Sequence, residues 1–103
     1  MVNVISNNDL SEAKKEKLAL LDFSATWCGP CSMLAPVLKE LSEELAGEVA
    51  VYSIDVDQNS QLAAEYKIMN IPALVLLKDG EKTGMTVGFQ PKESLKNFIE
   101  EHR

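Results

Sequence analysis

The amino-acid sequence predicts an α/β fold, a central mixed five-stranded sheet flanked by four helices. Two observations carry that expectation. A nearly continuous apolar run, Leu18–Phe23, is followed by a stripe in which Leu34, Val37, Leu38, Leu41 and Leu45 recur at helical spacing, and then by the alternating, β-branched segment Glu48–Val56. Such a strand–helix–strand unit requires a parallel pair with a right-handed crossover. Further on, Asp79-Gly80 between two strand-like runs is a hairpin signal and requires an antiparallel pair. One sheet satisfies both only if it is mixed, with helices on both faces.

The elements follow in order. Val2–Ile5 reads as a first strand. Asn8 or Asn7 can cap a helix that runs to about Glu16 and turns Leu10 and Ala13 inward. Leu18–Phe23 has the character of a strand buried on both faces, interrupted by Asp22. The long helix carries Pro36, which predicts a kink near its start, and Gly47 ends it. Glu48–Val56 is the third strand. Asn59 or Ser60 can cap a short helix with Leu62, Ala63 and Tyr66 inward. Ile71-Pro72 punctuates the chain, Ala73–Leu77 is the fourth strand and Thr83–Phe89 returns beside it. Pro91 suits the first turn of a last helix whose apolar face is Leu95, Phe98 and Ile99. No repeat, low-complexity tract or linker interrupts this order, so residues 1–103 are read as a single domain.

The chain has 103 residues, 46% of them apolar, enough for a core without metals or staples. A net charge of −6 argues against nucleic acid or an anionic membrane as a partner, because phosphates would be repelled. Met1–Leu20 lacks the apolar stretch of a signal peptide, and no run approaches the roughly 20 apolar residues of a membrane span. The expected compartment is the cytoplasm, where structural disulfides are rare.

That expectation makes the two cysteines informative. Cys28 and Cys31 are three residues apart, where a buried strand ends and a helix begins. At that spacing their Cβ atoms lie about 5–6 Å apart, and a small adjustment opens or closes a disulfide. The helix N-terminus adds unpaired N–H groups and positive potential, which favour a thiolate. An unperturbed thiol is only roughly 3% ionised at pH 7, and half ionisation needs ~2 kcal/mol. The helix end typically supplies about 0.3–1 kcal/mol, and a hydrogen bond from the Cys31 thiol is a source of the rest. The gain in rate is modest because nucleophilicity falls with pKa, so intramolecular proximity is the larger advantage. The expected sequence is attack on a substrate disulfide by an exposed Cys28, followed by attack of a deeper-set Cys31 on Cys28. A C-x-x-C pair is also half a zinc site, but the only histidine, His102, lies near the C-terminus, where it reads as a cation at a helix end. No metal is therefore expected. Two inert core cysteines would fit poorly with Gly29-Pro30 between them.

The segment from Asp22 through Phe23, Ser24, Ala25, Thr26, Trp27, Cys28, Gly29, Pro30 and Cys31, followed by Met33, Ala35 and Pro36, resembles the active-site segment of the thioredoxin family. Asp57-Gln58-Asn59, Ile71-Pro72, Lys78-Asp79-Gly80 and Val87-Gly88 are similar to thioredoxin residues at the corresponding places, so the resemblance spans essentially the whole chain. It implies the thioredoxin fold and general protein disulfide reductase activity. It also implies no bound cofactor beyond the Cys28–Cys31 disulfide, re-reduction by a thioredoxin reductase, and disulfide-containing proteins as targets. A monomer is expected.

The resemblance also assigns roles that the residues alone leave open. Asp22 is either an exposed strand end or a buried carboxylate; the family pattern makes it a base for Cys31, buried beneath the disulfide. Ile71-Pro72 would be trans by default; the family pattern makes it cis, facing the disulfide, with the Ile71 backbone open to an extended substrate segment. Trp27 is core or the apolar rim of the reactive sulfur. Gly88 permits a bend or a close approach of substrate, and Phe89 anchors a loop or extends the groove. With Gly29, Pro30 and Asn70 these complete the expected substrate-binding set. Ser24, Ser53, Asn70 and Ala73 depart from common family residues (tryptophan, lysine, glycine and threonine), which bears on tuning rather than on reaction class. Rival readings are an oxidase or isomerase on the same fold and a non-catalytic docking module. The first often places histidine between the cysteines, and Gly29-Pro30 supplies no such charge.

Overall fold

Leu18–Ser24 (β2) is the middle strand of a five-stranded sheet, buried along its first six residues. The computed structural model describes residues 1–103. Around β2 stand β1 (Val2–Val4), α1 (Ser11–Lys15), α2 (Gly29–Glu44), β3 (Ala50–Asp55), α3 (Ser60–Glu65), β4 (Ala73–Lys78), β5 (Glu81–Val87) and α4 (Lys92–His102). The strand order is β1-β3-β2-β4-β5. β3 is parallel to both β1 and β2, and β4 is antiparallel to both β2 and β5. The mixed sheet read from the sequence is therefore the one that forms.

Alternation along β2 divides the interior in two. Ala19, Leu21 and Phe23 pack with Ala13, Ile54, Leu62 and Val75 beneath α1 and α3. Leu18 and Leu20 pack with Leu34, Leu38, Leu41, Leu95 and Ile99 beneath α2 and α4. By the same alternation Asp22 faces the α2 side.

Local chemistry explains where boundaries differ from expectation. Asn7 and Asn8 do not cap α1. Both take left-handed backbone, with φ of 55° and 53°, and α1 begins at Ser11, whose N–H is accepted by Asp9 Oδ1 at 2.9 Å. The Asn8 side chain instead caps α3, its Oδ1 accepting the N–H groups of Gln61 and Leu62, both at 3.1 Å. Asn59, expected to cap α3 itself, accepts the Asn8 N–H at 2.9 Å and donates to Asp55 O at 3.0 Å. Short polar side chains reach either their own helix or a neighbour's, and spacing along one segment does not say which. α2 continues through Pro36 and ends at Glu44, with Gly47 (φ 85°) in the turn beyond. Asp79 and Gly80 have φ of 51° and 85°, the paired left-handed geometry of a type I′ hairpin.

His102 lies in the last turn of α4, as expected, and is held there by its neighbours. Its ring packs on Phe98 with centroids 4.6 Å apart, Nδ1 lies 2.8 Å from Phe98 O, and the ring covers Gly84 of β5.

Candidate functional site

β2 ends at Ser24, and five residues later α2 begins. Cys28 is the N-cap of α2, with extended backbone, and its Sγ accepts the N–H of Cys31 at 3.3 Å. A side chain that accepts from the third helical residue is the ordinary capping arrangement, here made by sulfur. Pro30 sits in the first turn, where no intrahelical partner for its N–H is needed. Cys28 and Cys31 are joined in a disulfide, with Cα atoms 5.3 Å apart.

Both cysteines are only 6% exposed, packed with Ala25 against Val56 and Ile71. The expected contrast between an exposed Cys28 and a deeper Cys31 is therefore absent at the level of whole residues. Cys28 belongs to the same small apolar cluster as its partner.

The neighbours come from several segments. The Ile71–Pro72 peptide bond is cis, and Ile71 O lies 4.0 Å from Cys28 Sγ. Neither the N–H nor the C=O of Ile71 has a backbone partner, while Pro72 O accepts the Gly88 N–H at 2.8 Å. Gly88 has φ of 97°, a conformation other residues rarely adopt, and there is open space where a Cβ would point. Trp27 is 70% exposed and thus rim rather than core, with Nε1 donating to Asp57 Oδ2 at 2.8 Å. Gly29, Pro30, Asn70 and Phe89 are all exposed, and Ile71 is half-buried.

Asp22 is buried, and its Oδ1 has no hydrogen-bond partner. Burial alone pushes its carboxyl from the ordinary value of 3.8 up to about 7. Its partner across the β2–β3 ladder is Ser53, which brings no cation.

Sequence reasoning does not single out Asp57 as a site residue, because nothing in a loop carboxylate announces an indole partner far along the chain. The exposed Met33 and Met69 also lie within two residues of Cys31 and Ile71, and both have the ordinary look of core residues in a one-dimensional pattern. No cluster of three or more ligating side chains capable of holding a metal occurs in the structure.

The sequence profile of the thioredoxin family matches residues 2–101. Thioredoxin of Staphylococcus epidermidis is 44% identical over 98 residues, covering 95% of this chain and 94% of that protein. The chain belongs to the thioredoxin family. Thioredoxin of Staphylococcus aureus is 43% identical over the same span. Among solved structures, a mutant thioredoxin from Halobacterium salinarum superposes with a TM-score of 0.88 at 39% identity, covering 98% of this chain and 89% of that one. With a thioredoxin sequence, fold and disulfide together, the chain is a thioredoxin-type dithiol–disulfide oxidoreductase.

Proposed function

We propose that this chain is a general protein disulfide reductase in which Cys28 attacks, Cys31 resolves and Asp22 assists as base. The Cys28 thiolate forms a bond to one sulfur of the target disulfide and expels the other as a thiolate, which takes up a proton. Cys31 gives its thiol proton to the Asp22 carboxylate and attacks Cys28 Sγ. The mixed disulfide breaks, the second target sulfur leaves reduced, and two electrons have passed to the target. A thioredoxin reductase then returns two electrons to the Cys28–Cys31 bond; either an NADPH-linked or a ferredoxin-linked donor suits this chemistry.

The observation that carries this reading is the Cys31 N–H directed at Cys28 Sγ, because the same donor stabilises negative charge on that sulfur after reduction. Asp22, near 7, is divided between acid and base at neutral pH, which suits a group that must take a proton and give it up. Trp27, Gly29, Pro30, Asn70, Ile71, Pro72, Gly88 and Phe89 would form the docking groove. The unpaired Ile71 backbone groups would receive an extended target segment by strand addition. The protein would act as a cytoplasmic monomer of one domain.

The test is insulin reduction with dithiothreitol, combined with mass spectrometry of quenched mixtures. Cys31→Ser should accumulate a mixed disulfide through Cys28, and Cys28→Ser should accumulate none comparable. Equal trapping by the two variants would overturn the assignment. Docking of targets that survives loss of both cysteines, without turnover in the parent, would make the chain a binding module.

A further inference from the structure

α2 carries Cys31, Ala35 and Lys39 at four-residue intervals, one above the next on a single face. Beside that face lies an open cleft of about 570 Å³. Asp22 is at its base, Ala35, Lys39 and Glu43 line the α2 side, and Ser53 and Met1 line the sheet side. The buried carboxyl that would serve Cys31 thus has a second approach, from the end of the stripe opposite the disulfide. Lys39 is exposed and takes part in none of the ion pairs of the structure.

We propose that Lys39 is a positioning residue for Asp22, its ammonium entering the cleft when the carboxyl ionises and withdrawing when the carboxyl is neutral. While Asp22 holds its proton there is nothing in the cleft to attract a cation, and Lys39 stays in solvent within reach of Glu43, four residues along the same helix. Once Asp22 gives up its proton, a buried carboxylate whose Oδ1 has no partner borders the cleft. A lysine stem spans roughly one helical turn, ~5.4 Å, so the ammonium can follow the charge down the wall of the cleft. The charged groups that face Asp22 are few. α2 offers Lys39, Glu43 and, in the reduced protein, the Cys31 thiol on the same face; Met1, just before β1, carries the α-amino group; and β3 offers the uncharged Ser53. In β4 the residue opposite Asp22 is Leu74.

This inference rests on the reading of Asp22 as base, and the experiment separates the two. The Asp22 carboxyl is followed by carbon-detected NMR across pH 5–10 in the parent, Lys39→Met and Lys39→Arg, in the reduced protein. The pH profile of mixed-disulfide resolution is recorded by stopped flow for the same three. A fully formed opposite charge lowers a carboxyl pKa by about 1–3 units, and a mobile one by less. Lys39→Met should therefore raise the Asp22 midpoint by roughly 0.5–1 pH unit, and Lys39→Arg should restore it. The resolution profile should move by the same amount. An Asp22 midpoint identical in all three proteins would overturn the role of Lys39. A midpoint that moves while the resolution profile stays fixed would uphold Lys39 and remove Asp22 as the base.

Discussion

Trp27 and Asp57 are joined by a hydrogen bond of 2.8 Å from the indole Nε1 to carboxylate Oδ2, which ties the segment before α2 to the loop after β3. It anchors a side chain that is otherwise 70% in solvent beside the disulfide. Asp57→Ala should release the indole. A net loss of about 1 kcal/mol for one exposed charge-assisted bond corresponds to roughly a fivefold fall in kcat/KM for insulin reduction. Tryptophan fluorescence anisotropy should drop in parallel, since Trp27 is the only tryptophan. An anisotropy unchanged by the substitution would mean that packing, not Asp57, holds the ring.

Asp22 should make stability depend on pH. Its carboxyl is raised from 3.8 to about 7 by burial, so the native state holds more protons than the unfolded chain between those values. Stability is then greatest below about pH 4 as far as this group is concerned, and is lost as pH rises through about 7. The full difference is roughly 4 kcal/mol. Asp22→Asn removes the titration. Urea unfolding of the oxidised protein at pH 5, 7 and 9 should show a decline in the parent and a flatter line in the variant. The variant should be the more stable of the two at pH 9. Parallel lines would mean that the carboxyl is solvated in the native state.

Gly84 has no room for a side chain. A Cβ there would come within 2.6 Å of His102 Cγ, so the ring would have to shift from its packing on Phe98. Gly84→Ala should cost about 1–3 kcal/mol by overpacking. In a His102→Ala background the same substitution should cost far less. A double-mutant cycle by thermal unfolding measures the coupling, and additive effects would show that the strain lies elsewhere.

Much of the molecule is legible in one dimension because its signals are local and strong. The Leu18–Phe23 run with the Leu34–Leu41 stripe demands a parallel pair and Asp79-Gly80 an antiparallel one, and together they require a mixed sheet, while the strand order β1-β3-β2-β4-β5 is set by contacts distant in sequence. The redox pair is equally legible, since Cys28 and Cys31 are near in sequence as well as in space. Features made by residues distant in sequence are not. Asn8 caps a helix far along the chain, Asp57 holds Trp27, and His102 lies over Gly84. Each depends on a polar side chain with several equivalent uses, and only the folded arrangement selects among them. The burial of Cys28 escapes the sequence for a related reason: Val56 and Ile71, which pack against the pair, come from segments far along the chain.

The antiparallel setting of β4 against β2 places two distant peptides together. Phe23, near the exit of β2, is in register with Ala73, the entrance of β4. A chain leaving the sheet at Ser24 toward the cysteines therefore does so beside a chain arriving from Pro72. Had β4 run the other way, its length would have carried Pro72 to the far rim, about 20 Å off. A single reversal of direction in an otherwise parallel neighbourhood thus gathers sulfur chemistry and the unpaired Ile71 backbone at one margin, with no long excursion of either loop.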